Sequence, residues 1–416
     1  MPALDGMRVL DLTQYEAGTA CTQALAWLGA EVVKIERPNT GDPGRGLAGL
    51  YDFEDSEYFI NWNSNKRSVC LALDTAAGRQ LLLDLVPRFD VFIENFGPGV
   101  IEKLDLGYDV IRAIRPDVIY ARIKGFGSFG SYSEYKCFDM VAQAAAGALS
   151  VTGDPEGPPM RPGPTTGDSG TGVQMALAVT AAYVQRLRTG EGQLVELSMQ
   201  EAMTYFMRTA IALGSKWGTR PAPRRGNGVS ALINIYPCKP FGANDYVYVM
   251  AMTERMWETL CRAIERPDLL DDERFSDGRQ RRENRDALYA EIEAWTRRHT
   301  KHEAMRILGA AGVPSSAVFD TLDLFDDPHL LERGFVHEVE HEGVGTVRLL
   351  GWPARLSRSS VEIEAAPLLG RHTAEVLQAE LGLGPEEIAG LRAQGIVGRE
   401  PTGPLAPELE PEEEDR

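Results

Sequence analysis

Residues 8–36 read RVLDLTQYEAGTACTQALAWLGAEVVKIE, and their reading decides the fold. RVLDL (8–12) is a short apolar run. CTQALAWLG (21–29) has helical composition and ends at Gly29. AEVVKIE (30–36) is a second apolar run with β-branched residues. Strand, helix and strand in so short a span form the opening unit of a doubly wound parallel sheet. The alternation resumes with GRQLLLDLVPRF (78–89, helix), DVFIENF (90–96, strand), GYDVIRAIR (107–115, helix) and DVIYARIKGFG (117–127, strand). A Rossmann-like α/β domain with right-handed crossovers is therefore expected. Its first βα turn, TQYEAGTA, lacks G-x-G-x-x-G, so an ordinary NAD site is not expected there.

Downstream, a long apolar helix is expected over 172–187, followed by a strand at LVELSM (194–199) and a helix at EAMTYFMRTAIAL. GSKWGTRPAPRRGNG (214–228) reads as a linker. After it the texture changes to a hairpin-like NIYPCKPFGANDYVYVMAM and several helical segments, a smaller α+β domain over 229–330. Residues 1–213 then form the N-terminal part of a large domain, and 331–397 a return segment that completes it. The return segment carries antiparallel strands within 335–356 and helical sequence over 373–394. The acidic, Pro-rich tail 398–416 is expected to be disordered.

Composition bounds the function. The chain has 416 residues, 43% of them apolar, and a formal net charge of −18, which repels nucleic-acid phosphates and anionic bilayers. No nucleic-acid or membrane partner is expected. Five cysteines are scattered without a CxxC, so neither zinc nor a disulfide framework is expected. No basic n-region or apolar h-region opens the chain, and the reading places the protein in the reduced cytoplasm.

All six histidines lie at His299 or later. Histidine-based hydrolysis, and metal held by His, are disfavoured in the α/β part, and carboxylates are left as the candidates. Two stand in Gly/Ala-rich turns: Glu16 in QYEAGTA and Asp168 in PGPTTGDSGTG (162–172). Asp168 has two readings, a helix N-cap or a nucleophile given bare backbone so that a bulky partner can approach. Arg37, Lys66, Arg67, Lys103 and Lys124 sit near strand ends, where they either hold phosphates or merely solubilise loops. ENFGPG (94–99) is either a tight turn or a cradle of backbone N–H groups.

Taken together, VLDL (9–12), AGTACTQALAWLGAEVVKIERPNTGDPGR (17–45), NSNKRS (63–68), ENFGPGVIEKL (94–104), ARIKGFG (121–127), MVAQAAAG (140–147), GDSGTG (167–172), RTGEGQLVELSMQEA (188–202) and APLLGRHT (366–373) resemble the family III CoA-transferases of the CaiB/BaiF type, the formyl-CoA:oxalate type above all. The likeness runs from Leu4 to Val397. It implies an interlocked homodimer that takes an acyl-CoA and a carboxylic acid, with coenzyme A as substrate and no metal. By that resemblance Asp168 aligns with the family's catalytic aspartate, which forms first a mixed anhydride and then an enzyme-bound CoA thioester. A carboxylate ionised at neutral pH would need no base. The carried-over CoA contacts are Arg37 at a phosphate, Leu71, Ala72, Leu73 and Asp74 beside the adenosine, and Asn95, Phe96 and Gly97 at the second nucleotide-side turn. Lys103 stands where the formyl type has arginine. Tyr135, Lys136, Cys137 and Phe138 run along the pantetheine, and Glu16 and Ala17 lie beside the thioester.

The chain departs from the formyl type at three places. Glu16 stands where that type has glutamine, Phe138 where it has tyrosine, and GNGVSALINIYP (226–237) lacks its glycine run. An anionic Glu16 would repel a small dianion. The expectation is thus a different acid pair, such as succinyl-CoA with another mono- or dicarboxylate, its distal carboxylate recognised by Arg224 and Arg225 unless these only belong to a basic linker. Two alternatives stay open. One is an acyl-CoA racemase or epimerase, which would place a histidine where Phe138 stands. The other is a CoA-binding protein without turnover.

Overall fold

The computed structural model describes residues 1–47 and 55–398. All of the acidic tail beyond Gly398 lies outside the described residues. The chain divides into two units, one of residues 1–148, 162–209 and 334 onward, the other of 149–161 and 210–333.

The first unit is built on a six-stranded sheet of β1 (Arg8–Asp11), β2 (Glu31–Glu36), β3 (Arg67–Cys70), β4 (Val91–Glu94), β5 (Ile119–Lys124) and β6 (Gln193–Ser198) in the order β3-β2-β1-β4-β5-β6. Every neighbouring pair is parallel. The order reverses between β1 and β4, the crevice where doubly wound sheets take ligands. The strands are short, and all but the edge strand β6 are buried on both faces, as parallel strands between helical layers are. Val9, Val32, Ile93 and Ala121 face one core layer, and Leu10, Val33, Phe92 and Tyr120 face the other.

Helix α1 (Ala17–Trp27) is buried from Ala17 to Ala26, and its small residues let a second helix lie close against it. The further helices that bear on the site are α2 (Glu57–Asn63), α3 (Asp139–Ala145), α4 (Ser169–Thr189) and α5 (Met199–Phe206). The contact of α1 with α4 is tight enough to require glycine. A Cβ built on Gly172 would stand 2.6 Å from Ala17 O and 2.7 Å from Ala20 Cβ.

Strand β3 has no apolar run to announce it, and sequence reading passes it over. It is completed from the far end of the chain. Cys70 N donates to Thr373 Oγ1 at 3.0 Å, Ala72 N to Ile396 O at 2.8 Å, and His372 N to Ser68 O at 2.9 Å. The returning segment thereby covers the sheet edge. It also carries the antiparallel pair Val336–His341 and Gly345–Leu350 and the helices Thr373–Leu381 and Pro385–Ala393.

The second unit holds a three-stranded antiparallel sheet of Ile233–Pro237, Tyr246–Met250 and Ser315–Ala317. Around it, helices such as Glu254–Ala263, Arg285–Thr296 and Lys301–Ala311 close a core of Tyr236, Trp257, Leu260, Ile292, Trp295 and Leu308. The stretch 214–228, expected as a linker, lies inside this unit. Among the described residues no helix is long and apolar enough to cross a membrane.

Candidate active site

The cleft opens where the sheet topology predicts, over the carboxyl ends of β1, β4, β5 and β6. Gln14, Tyr15 and Ala17 follow β1, Asn95 to Pro98 follow β4, Ile123 to Gly125 end β5, and Met199 follows β6; Tyr135 to Phe138 and Asp168 complete the lining.

Local chemistry shapes each turn. Asp11, at the end of β1, accepts from Thr13 N at 2.8 Å and Thr13 Oγ1 at 2.5 Å, which bends the chain at once. Tyr15 then adopts φ 60°, the left-handed region, and its N–H donates to Asp42 Oδ1 at 3.0 Å. A non-glycine residue held in that conformation marks a site the surrounding structure over-determines. Across the switch point, Gln14 N donates to Asn95 Oδ1 and Asn95 Nδ2 donates to Gln14 O, both at 2.8 Å. The turn after β4 is fixed by Glu94, which accepts from Phe96 N at 2.8 Å, and by Lys124 Nζ, which donates to Phe96 O at 2.7 Å.

Asp168 occupies the N-cap position of α4, but its side chain makes no capping hydrogen bond. Of the two readings of this residue, the cap is the one the geometry rejects. Its amide donates to Asp139 Oδ1 at 3.1 Å, and its carboxylate faces the cleft. Two further carboxylates stand close by. Glu16 is 3% exposed; its Oε1 accepts from Thr165 Oγ1 at 2.5 Å and its Oε2 from the Tyr58 hydroxyl at 3.5 Å. Asp139 is buried and accepts from Gln143 Nε2 at 3.0 Å on both oxygens. Burial, then the charges of Glu16 and Asp139, push Asp168 up to about 8. Glu16 is pushed up to about 7, by burial and by Asp139, against the pull of its hydrogen bonds. This corrects the expectation of a nucleophile already fully ionised at neutral pH. A single acid in water would behave so; three acids sharing a half-closed site do not.

Of the sequence-predicted residues, the structure brings together Ala17, Asn95, Phe96, Gly97, Tyr135, Lys136, Cys137, Phe138 and Asp168 around the cleft, with Glu16 behind it. Asn95 has both side-chain groups engaged by Gln14. Cys137 lies against Gly125, where a Cβ would stand 2.1 Å from Cys137 Cβ, and burial followed by Asp168 and Asp139 pushes its thiol up to about 11. Phe138 meets Tyr15 edge to face at 5.7 Å. Arg37 and Lys103 are exposed and outside the lining, as is Asp74; Leu71 and Ala72 are buried, Leu71 in the core beneath the sheet, and Leu73 is half-buried.

The cations expected near strand ends divide by burial. Lys66 lies at the entry of β3, not at an exit. It is buried, with Nζ donating to Thr19 O at 3.1 Å and Asn63 Oδ1 at 2.9 Å beside Asp11 at 3.4 Å. Arg67 pairs with Glu31 and Glu375, and Lys124 with Glu94. A buried cation has to be matched by a buried anion, so Lys66 and Lys124 are committed to the fold, while Arg67 pairs at the half-exposed edge of the sheet. Arg37 and Lys103 remain in the open. Tyr58, Thr165 and Asp139 went unnoticed in the sequence because nothing local marks them; only packing gathers them around Glu16 and Asp168. Among the described residues, no group of three His, Cys, Asp or Glu is arranged to hold a metal.

Known proteins are similar to this chain over most of its length. The family model described as CoA-transferase family III matches residues 4–373. A formyl-CoA:oxalate CoA-transferase of Streptomyces avermitilis is 39% identical over 410 residues, covering 95% of this chain and 99% of its own. The protein of the same name from Rhodopseudomonas palustris strain BisA53 is 37% identical over 414 residues, with 95% and 97% covered. Among solved structures, a CAIB/BAIF family protein from Brucella suis superposes with a TM-score of 0.81 at 30% identity, covering 91% of this chain and 99% of that one. Rv3272 from Mycobacterium tuberculosis gives 0.75 at 32%, with 90% and 98% covered.

Proposed function

Because this chain belongs to CoA-transferase family III, we propose that it moves CoA from a short acyl-CoA donor to a carboxylic acid acceptor through an aspartyl-CoA intermediate on Asp168. The observation that carries the reading is an Asp168 carboxylate at a helix N-terminus that caps nothing and faces a cleft at the topological switch point. In the first step an Asp168 oxygen bonds to the thioester carbonyl carbon, and the C–S bond breaks to leave a mixed anhydride and CoA thiolate. The thiolate then attacks the aspartyl carbonyl and the donor acid departs. The acceptor acid attacks the aspartyl thioester, and the same steps run backwards. Holding both acids against one fixed carboxylate supplies much of the acceleration, since effective molarities of positioned groups reach about 10⁵ M or more.

Arg37 and Lys103 are assigned to the CoA phosphates, and the loop Tyr135–Phe138 to the pantetheine arm. The relatives named formyl-CoA:oxalate CoA-transferase put that acid pair among the substrates to test. Glu16 and Phe138 favour another short pair, with succinyl-CoA as the first donor to try. The working assembly is an interlocked homodimer in the cytoplasm.

The test is a panel of acyl-CoA donors against a panel of carboxylic acids, with products read by mass. Asp168→Ala is expected to abolish transfer while CoA still binds, and hydroxylamine with acyl-CoA is expected to modify Asp168 in the native protein. Substantial transfer by Asp168→Ala, or an adduct mapped elsewhere, refutes the assignment. Exchange of the α-proton with deuterated solvent in the absence of acceptor would point to racemisation instead.

A further inference from the structure

Glu16 is the group in the site that the reaction as written does not use. It is buried, its position at the start of α1 is fixed by the Tyr15 turn, and it is held against the first turn of α4. There Thr165 Oγ1 donates to it at 2.5 Å. Thr165 O in turn accepts from Asp168 N at 3.1 Å and Ser169 N at 2.9 Å. One peptide turn therefore joins the two carboxylates. Their surroundings differ. Glu16 has two hydroxyl donors, from Thr165 and Tyr58, and donors favour the anion. The Asp168 carboxylate accepts no hydrogen bond among the described residues. Of the two carboxylates, the surroundings therefore favour the charge on Glu16 and the proton on Asp168.

On the reading of Asp168 as the nucleophile, we propose that Glu16 governs it as a positioning residue: its buried carboxylate, held on the turn that carries Asp168, keeps charge off Asp168 in the resting site, so that Asp168 attacks only once its own proton has left to water. The step balances. The Asp168 proton leaves to water, the bond from Asp168 Oδ to the acyl carbon forms, and the C–S bond breaks with its electron pair on CoA sulfur. The other charged and titratable groups around the pair have their own partners or places. Asp139, from α3, repels both carboxylates and is bound by Gln143 and the Asp168 amide. Tyr58, from α2, is a donor to Glu16. Asp42 is tied to Lys34 at 2.8 Å and to Tyr15 N, Cys137 keeps its proton at neutral pH, Lys124 is paired with Glu94, and Lys136 is exposed.

The consequence is that Glu16 sets the pH at which Asp168 becomes competent. The experiment compares kcat/KM against pH for the native enzyme and Glu16→Gln, with the acyl-CoA and acid pair found in the screen. Removing one like charge moves the acid limb of the variant to lower pH by about one unit. The readout is the position of the limb, not its height, because a structural defect lowers activity at every pH alike. A limb that stays in place or moves to higher pH overturns the proposal while Asp168→Ala still reports on the nucleophile separately. Should Glu16→Gln fail to fold, infrared titration of native enzyme labelled with 13C-carboxyl aspartate replaces it. A protonated-carboxyl band that persists to about neutral pH and is missing from Asp168→Asn is expected. Its absence overturns the proposal.

Discussion

Gly172→Ala tests the geometry on which the site rests. The glycine lies one turn into α4, and its N–H donates to Asp168 O at 2.9 Å. A Cβ there would stand 2.6 Å from Ala17 O, 2.7 Å from Ala20 Cβ and 2.9 Å from Cys21 N. These are backbone atoms and a methyl group of a buried helix, so no flexible side chain can swing away. The two helices must part by about half an ångström, and overpacking of this kind costs about 1–3 kcal/mol. Alanine recovers about 1 kcal/mol of helix propensity, leaving a net loss of up to about 2 kcal/mol. For a unit of this size that lowers Tm by up to about 8 °C, read by differential scanning calorimetry. Activity is expected to fall further than stability implies. Helix α1 begins beside Glu16 and α4 beside Asp168, so separating them separates the two carboxylates, and a misplacement near 1 Å costs about 100-fold in rate. Native Tm together with native kcat in Gly172→Ala would refute the reasoning, because the helices could not then be in the contact described.

Two further outcomes are expected. Burial alone would raise Glu36, but Arg45 at 2.7 Å, Lys34 and Ser68 outweigh it and hold its carboxyl down at about 2, against 4.5 for the free side chain. Its folded value is depressed, so its stabilisation is complete above the unfolded value and is lost as pH falls from about 4.5 toward 2, on the order of 3 kcal/mol in all. Glu36→Gln removes that slope from urea midpoints measured across the window, and an unchanged slope counts against it. Arg37→Ala should raise KM for acyl-CoA about tenfold without altering the preference among acids, since the side chain is exposed and a single phosphate contact is worth roughly 1–2 kcal/mol; a change confined to the acid would assign Arg37 elsewhere.

Much of the first unit is legible from its strands. β1, β2, β4, β5 and β6 each announce themselves by a short run rich in Val, Ile and Leu, most of it buried in the central strands, and the helices between them carry their own stops, such as Gly29 and Gly190. Strand β3, RSVC, is too short and too polar to stand out, and becomes a strand only because β2 and the returning segment bracket it. The site divides in the same way. Asp168 is visible for its bare surroundings, and the turn after β4 for its glycines and proline. Sequence does not reveal that Lys66 and Lys124 pair inside the fold, because burial, which decides whether a cation meets a ligand or a carboxylate, is a property of the tertiary fold. The clustering of Glu16, Tyr58, Asp139 and Thr165 joins four separate segments, and no window of sequence contains it.

The edge of β3 also has a bearing on how the protein is made. The hydroxyl that receives Cys70 N–H belongs to a residue 303 positions downstream. During synthesis the sheet can assemble as far as β6 while that border still lies open, and it stays open until the last helices leave the ribosome. Contacts so distant in sequence form slowly, and an unpaired strand border is where nascent chains adhere to one another. Chains halted before residue 373 should therefore be the ones that call on chaperones.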